Sequence, residues 1–354
     1  MKIQIKKSTL AFLLIAGVNL FVAVFSFYFL PKKFFYDAII IALDRGNEIG
    51  FLGSYPLTIL FYKISGLRYL PFPIIGLIQF PIVMFVLYKI GVPYDFEKLN
   101  IKNGIVYLGI LIMAIFMSMP SKEFITYLFV SIIVFLFLND QNSFRKALFR
   151  SLILLTFFGI FYRPYFVLIP IIALVMYAAI LINFKNKMVA AVFYGLLAAI
   201  SLSLIYELVT GHFFSEISRE VVNNSRIGSA DANSSIIPPI KTDTWYGESI
   251  GIFYGFFAVN IPINGLKYIF SPQILIFVIW QLFLFYILLV RLSRCIVARR
   301  EYKKELWVLL ILFAFFIVQG IFEPDLGSAV RHKIGVFPLI YYTLYYDHFR
   351  KKLR

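Results

Sequence analysis

Charged side chains are scarce in this chain. Asp, Glu, Lys and Arg make up 15% of its 354 residues, whereas soluble domains carry about a quarter. That shortage excludes an ordinary water-soluble fold. Cysteine occurs once, at Cys295, which excludes an internal disulfide and a cysteine-built metal site. The histidines, His212, His332 and His348, fall in separate parts of the expected topology. That spacing argues against a histidine metal centre. No Walker-type loop and no Gly-x-Gly-x-x-Gly after a strand is present, which disfavours a cytosolic nucleotide-sugar enzyme. Alternating segments of about ten residues, the signature of a membrane barrel, are also missing.

What fills the chain is apolar sequence. It is 61% hydrophobic, with 41 Phe and 23 Tyr and a mean hydropathy of +0.86. Apolar runs of about 18 residues, long enough to cross a bilayer as helices, recur from end to end. Ten spans fit, at 10–30, 72–90, 104–119, 122–138, 148–162, 165–182, 188–208, 269–290, 306–321 and 334–349. The expected fold is all-α: a polytopic integral membrane bundle of about ten helices, forming a single membrane domain over 1–354. The run 10–30 is too long for the core of a signal peptide and reads as the first span.

The net charge of +16 raises nucleic acid as a partner until the charges are located. With both termini cytoplasmic, 21 of the 34 Lys and Arg fall in the inner segments, including the two ends, as the positive-inside rule expects. They set topology and meet lipid headgroups; no nucleic acid is expected. Three outer stretches then stand out. Residues 31–71 form a first outer segment, expected to lie as amphipathic helices in the interface. Residues 209–268 form a long outer loop, polar and small at its centre. Residues 322–333, "FEPDLGSAVRHK", form a charged outer loop.

Ionisable groups near a membrane interior are costly, so they pair or line a wet cavity. Four outer segments contribute them: Asp37, Asp44 and Arg45; Lys122 and Glu123 in "PSKE"; Arg163 in "YRP"; and Glu323, Asp325, Arg331, His332 and Lys333. Brought together, they would make a cleft suited to a lipid diphosphate. Lys122, Arg163, Arg331 and Lys333 would hold phosphate oxygens and stabilise a leaving diphosphate. His332, Glu323, Asp325 and Asp37 compete to take the proton of a sugar hydroxyl. Glu123, Asp44, Arg45, Trp245 and Tyr246 would contact the glycan. Structural roles compete with each assignment. Arg331 can pair with Glu323 or Asp325 to pin the loop, one of those acids can cap the following helix, Lys122 and Glu123 can pair locally, and Arg163 can snorkel.

The residues "FEPDLGSAVRHK" followed by "GVFPLIYY", with "PSKE" at a break between spans, resemble the last outer loop of bacterial O-antigen and capsular polysaccharide polymerases. An early Asp followed by "GSYPLTILFYKISG" is similar to membrane glycosyltransferases of the GT-C class. The resemblance implies a GT-C-like enzyme of the bacterial inner membrane, without a cofactor. It would join undecaprenyl-diphosphate-linked repeat units at the periplasmic face, as donor and acceptor, with a chain-length regulator as a further partner. The first outer segment has no Asp-x-Asp; "ALDRGNE" places Arg after its Asp, which departs from the metal-dependent single-sugar transferases. Single transfer or ligation is the nearest rival function, and a lipid-linked oligosaccharide flippase is the rival of another class.

Overall fold

The computed structural model describes residues 6–44, 52–139, 143–225, 234–268 and 270–352. Within them the chain is helical. An isolated antiparallel bridge joins Ser235 and Asp325. The helices run in chain order as α1 (Lys7–Phe29), α2 (Tyr36–Leu43), α3 (Ser54–Ile64), α4 (Phe72–Ile90), α5 (Ile101–Phe116), α6 (Lys122–Leu138), α7 (Phe144–Phe161) and α8 (Leu168–Leu181). They continue as α9 (Lys187–Thr210), α10 (Val221–Ser225), α11 (Trp245–Asn260), α12 (Pro272–Val297), α13 (Lys303–Phe322), α14 (Leu326–Gly335), α15 (Phe337–Leu344) and α16 (Tyr346–Lys352). Among the described residues, six helices are long and apolar enough to cross a membrane: α1, α4, α8 with its preceding turn, α9, α12 and α13. This is an all-helical membrane protein.

Local chemistry sets many of the boundaries. Side chains of Asn100, Ser121, Asn186 and Thr244 accept hydrogen bonds from backbone N–H groups three residues on. Each satisfies a donor that the first turn of α5, α6, α9 or α11 would otherwise leave unpaired. Pro338 bears on the apolar run 334–349, which is divided among three short helices rather than forming one continuous helix. Its ring lacks an N–H and cannot continue the ladder from α14, and the chain breaks at Val336 before α15 begins. A second break at Tyr345 separates α15 from α16.

The chain divides into two compact units, Met1–Ser151 with Arg331–Arg354, and Leu152–Val330. In the first, α1 packs on α4 and α5, α3 and α4 pack on α6, and α15 packs against α4, α5 and α6. Polar ties fix α15 and the residue after it. The Tyr341 hydroxyl donates to the Gly91 carbonyl at 2.7 Å, and the Tyr345 hydroxyl donates to Asn103 at 2.6 Å.

In the second unit, α13 is almost wholly buried and is packed by α8, α9, α11 and α12. The helix α11 lies inside the stretch 209–268, which composition reads as a loop. Gly247, Gly251 and Gly255 recur every four residues and form one face of α11. Small residues at that spacing let helix backbones touch, and a Cβ built on Gly255 would stand 1.9 Å from the Gly320 carbonyl oxygen of α13. Gly255→Val should therefore force the two helices apart. The expected cost is about 3 kcal/mol, the upper end for overpacking, read as a lower melting temperature of the purified protein.

Candidate functional site

A charged cluster forms in the first unit around Asp37. Its carboxylate accepts from Arg331 Nη1 at 3.0 Å and from the Tyr55 hydroxyl at 3.1 Å, and Lys122 Nζ lies 3.4 Å away. The Lys122 ammonium sits 3.7 Å from the centre of the Tyr55 ring, a cation–π contact. Beside it, His332 Nε2 lies 3.6 Å from the Glu123 carboxylate. The charged side chains are 3–21% exposed, so these contacts are only weakly screened.

Each group arrives from a different element for a local reason. Asp37 lies in the first turn of α2, where a carboxylate complements the helix dipole. Ser121 caps α6, which puts Lys122 and Glu123 together on its first turn. Arg331 and Lys333 flank His332 on α14. Arg331 and His332 project about 100° apart and so reach two different acids.

A rigid polar plug fixes the break between α5 and α6. The buried Tyr62 hydroxyl accepts from the Ser121 N–H at 3.1 Å and sits 2.5 Å from the Gln79 amide. With the amide oxygen toward that hydroxyl, the Gln79 nitrogen donates to the Met117 and Met119 carbonyls at 3.0 Å. A small hollow of about 20 Å³ adjoins the cluster, lined by Phe34, Phe35, Ala38, Ile115, Met119 and Pro120 together with Asp37, Glu123 and Arg331. It has room for about one water molecule.

The electrostatics follow from this packing. Burial alone would push the Asp37 carboxyl up, but the adjacent Arg331 and Lys122 more than reverse that and hold it well below the usual carboxylate range. Burial, then the charge of Asp37, raises the Tyr55 phenol above its ordinary value, so Tyr55 stays a donor. Tyr55→Phe removes one hydrogen bond to a charged acceptor. It is expected to cost about 1.5–3 kcal/mol, measurable by chemical denaturation of the purified chain.

The remaining predicted residues take other places. Lys333 is fully buried. Asp44 ends α2 in a left-handed conformation and pairs with Arg68 at 3.5 Å. Arg45 lies outside the described residues. In the second unit, Arg163 is buried and donates to the Tyr165 hydroxyl at 3.0 Å, near the faces of Tyr162 and Tyr165. Glu323 ends α13 and accepts from Gln319 at 2.9 Å. Asp325 accepts from both the N–H and the hydroxyl of Ser328. It therefore caps α14, and most of 322–333 is helix rather than loop. Trp245 and Tyr246 are exposed on the first turn of α11, with their rings edge to face.

Sequence reasoning missed Tyr55, Tyr62 and Gln79, because in an apolar segment they read as interfacial or incidental. It also missed two buried charged residues in the second unit. Arg219, on a π-helical turn at Glu216–Glu220, donates to the Gly251 and Gly320 carbonyls at 3.3 and 2.9 Å. Glu248 accepts from the Ser203 hydroxyl at 2.6 Å and from the Ser215 N–H at 3.3 Å. A Ser-rich segment gives no pattern from which those contacts can be read. Among the described residues, no group of three His, Cys, Asp or Glu side chains is placed to hold a metal ion. No protein-family model, curated protein or solved structure matches this chain.

Proposed function

We propose that this protein is a glycosyltransferase that polymerises polyprenyl-diphosphate-linked oligosaccharide repeat units at the outer face of a bacterial inner membrane. One observation carries the reading. Two cations, a carboxylate and a tyrosine from four separate helices of a membrane protein gather at Asp37, next to a hollow. Such a group can hold a diphosphate and accept a proton within one site.

The reading includes ten spans in a GT-C-like bundle. The six long helices would be joined by α5, α6 and α7, of 16, 17 and 18 residues, and by the broken segment α14–α16. Short helices cross if they tilt little or the bilayer thins locally.

In this mechanism Asp37 holds the cations ready until the donor arrives. A hollow the size of one water molecule cannot admit a diphosphate, so donor binding must open the Asp37 contacts. The phosphate oxygens then take Arg331 and Lys122, and the carboxylate loses the charges that kept its affinity for protons low. The acceptor hydroxyl attacks the anomeric carbon of the donor glycan. The bond from that carbon to the diphosphate oxygen breaks, and its electron pair leaves on the diphosphate, stabilised by Arg331 and Lys122. Asp37 accepts the hydroxyl proton. The Glu123–His332 pair borders the same space and orients the acceptor.

Membranes containing the chain, incubated with lipid-linked repeat units, should yield a ladder of product lengths. A single added unit would replace polymerisation by single transfer. Unchanged substrate, with lipid flipping in liposomes, would replace both by transport.

A further inference from the structure

The geometry points to a binding site for one anionic phospholipid on the last turns of α12, independent of the glycosyl-transfer reading. Tyr286, Ile287, Val290, Arg291 and Arg294 line a hollow of about 280 Å³. Their spacing, with steps of one, three and four residues, puts them along one stripe of α12. Over about 12 Å of helix, that stripe changes from apolar to basic. Tyr286 and Val290 are 65% and 52% exposed, so the apolar part lies open to whatever surrounds the helix.

The basic end is built rather than incidental. Arg291 donates to the fully buried Glu305 of α13 at 2.6 Å, and Arg294 meets the other oxygen of the same carboxylate at 3.2 Å. The Arg294 guanidinium also lies 4.6 Å from the Tyr302 ring centre. One carboxylate thus anchors two guanidiniums. The side chain of Arg294 remains 40% exposed at the mouth. The turn that follows adds Arg299 and Arg300 against Glu301, then Lys303 and Lys304.

An amphiphile with an acyl chain and a negative head fits this change along the stripe. A free anion would have no use for the apolar half, and a lipid without net charge would gain less from the exposed Arg294 guanidinium. The chain would lie against Tyr286, Ile287 and Val290, with the headgroup phosphate at Arg294. A leaflet rich in anionic lipid is the environment in which basic juxtamembrane residues act, at about 1 kcal/mol, or about five-fold in affinity, each.

Native mass spectrometry of the full-length chain, titrated with phosphatidylglycerol or phosphatidylcholine, tests the site. One phosphatidylglycerol should be retained at least about five-fold more tightly than phosphatidylcholine. Arg294→Gln should erase that preference while leaving Arg291 on Glu305. Val290→Trp crowds the hollow without changing charge and should weaken both lipids. Equal retention of the two lipids by the wild-type chain overturns the proposal. So does phosphatidylglycerol binding unaffected by Val290→Trp, or displacement of the lipid by millimolar inorganic phosphate, which would mark a simple anion site.

Discussion

Replacing Arg331 with alanine is expected to reduce product formation about 10²–10³-fold, the effect of losing one preorganised donor to a developing negative charge. Arg331→Lys should recover only part, because an ammonium keeps the charge but not the planar fork that grips two phosphate oxygens. A purely structural role makes a different prediction. Arg331 lies 3.0 Å from Asp37, and both are mostly buried. Removing one partner of such a pair strands the other and costs about 3–5 kcal/mol, whereas removing both can be nearly neutral. The double variant Asp37→Ala, Arg331→Ala should therefore regain thermal stability relative to Arg331→Ala alone. Its activity should not return. If activity returns along with stability, Arg331 only pins α14 to α2, and the catalytic assignment is wrong.

Asp37→Asn should lower turnover by about 10²–10⁴-fold, the usual contribution of a general base, and should change the pH dependence of stability. The folded carboxyl of Asp37 titrates below its ordinary range. The stabilisation it supplies is therefore complete above about pH 4, where unfolded Asp titrates, and is lost as pH falls below that toward the folded value. Unfolding followed from pH 7 to pH 2 should show this loss in the wild-type chain and a shallower one in Asp37→Asn. Kinetics give a second readout. Before substrate binds, two cations hold the carboxyl down, so under the proposed mechanism kcat/KM should lack an Asp37 acid limb between pH 5 and 8. Once the diphosphate has taken those cations, kcat should acquire an acid limb at higher pH. Coincident limbs in the two profiles would argue that Asp37 never leaves Arg331 and Lys122.

The site could be named from sequence more readily than it could be wired. Asp37, Lys122, Glu123, Arg331 and His332 stand out because charge is rare and each interrupts an apolar stretch. Their pairing does not follow from that. Arg331 has Glu323 and Asp325 as neighbours in sequence, yet it takes Asp37, 294 positions away. Asp325 was claimed locally by Ser328, a short-range cap that costs little chain entropy to form. Lys122 and Glu123, adjacent on α6, turn to Asp37 and His332 because successive helical side chains diverge by about 100°.

The sequence by itself determined the solvent for which this protein is built. A chain with so little charge and such long apolar runs must satisfy its backbone within helices. That constraint is local and additive, so composition and run length reveal it. Tertiary structure alone decided which charges meet, that Gly247, Gly251 and Gly255 belong to a helix packed on α13, and that Tyr55 and Tyr62 serve the cluster. Those outcomes depend on which helix faces which, and the contacts that settle them join residues far apart in the chain, where no periodicity links one to another.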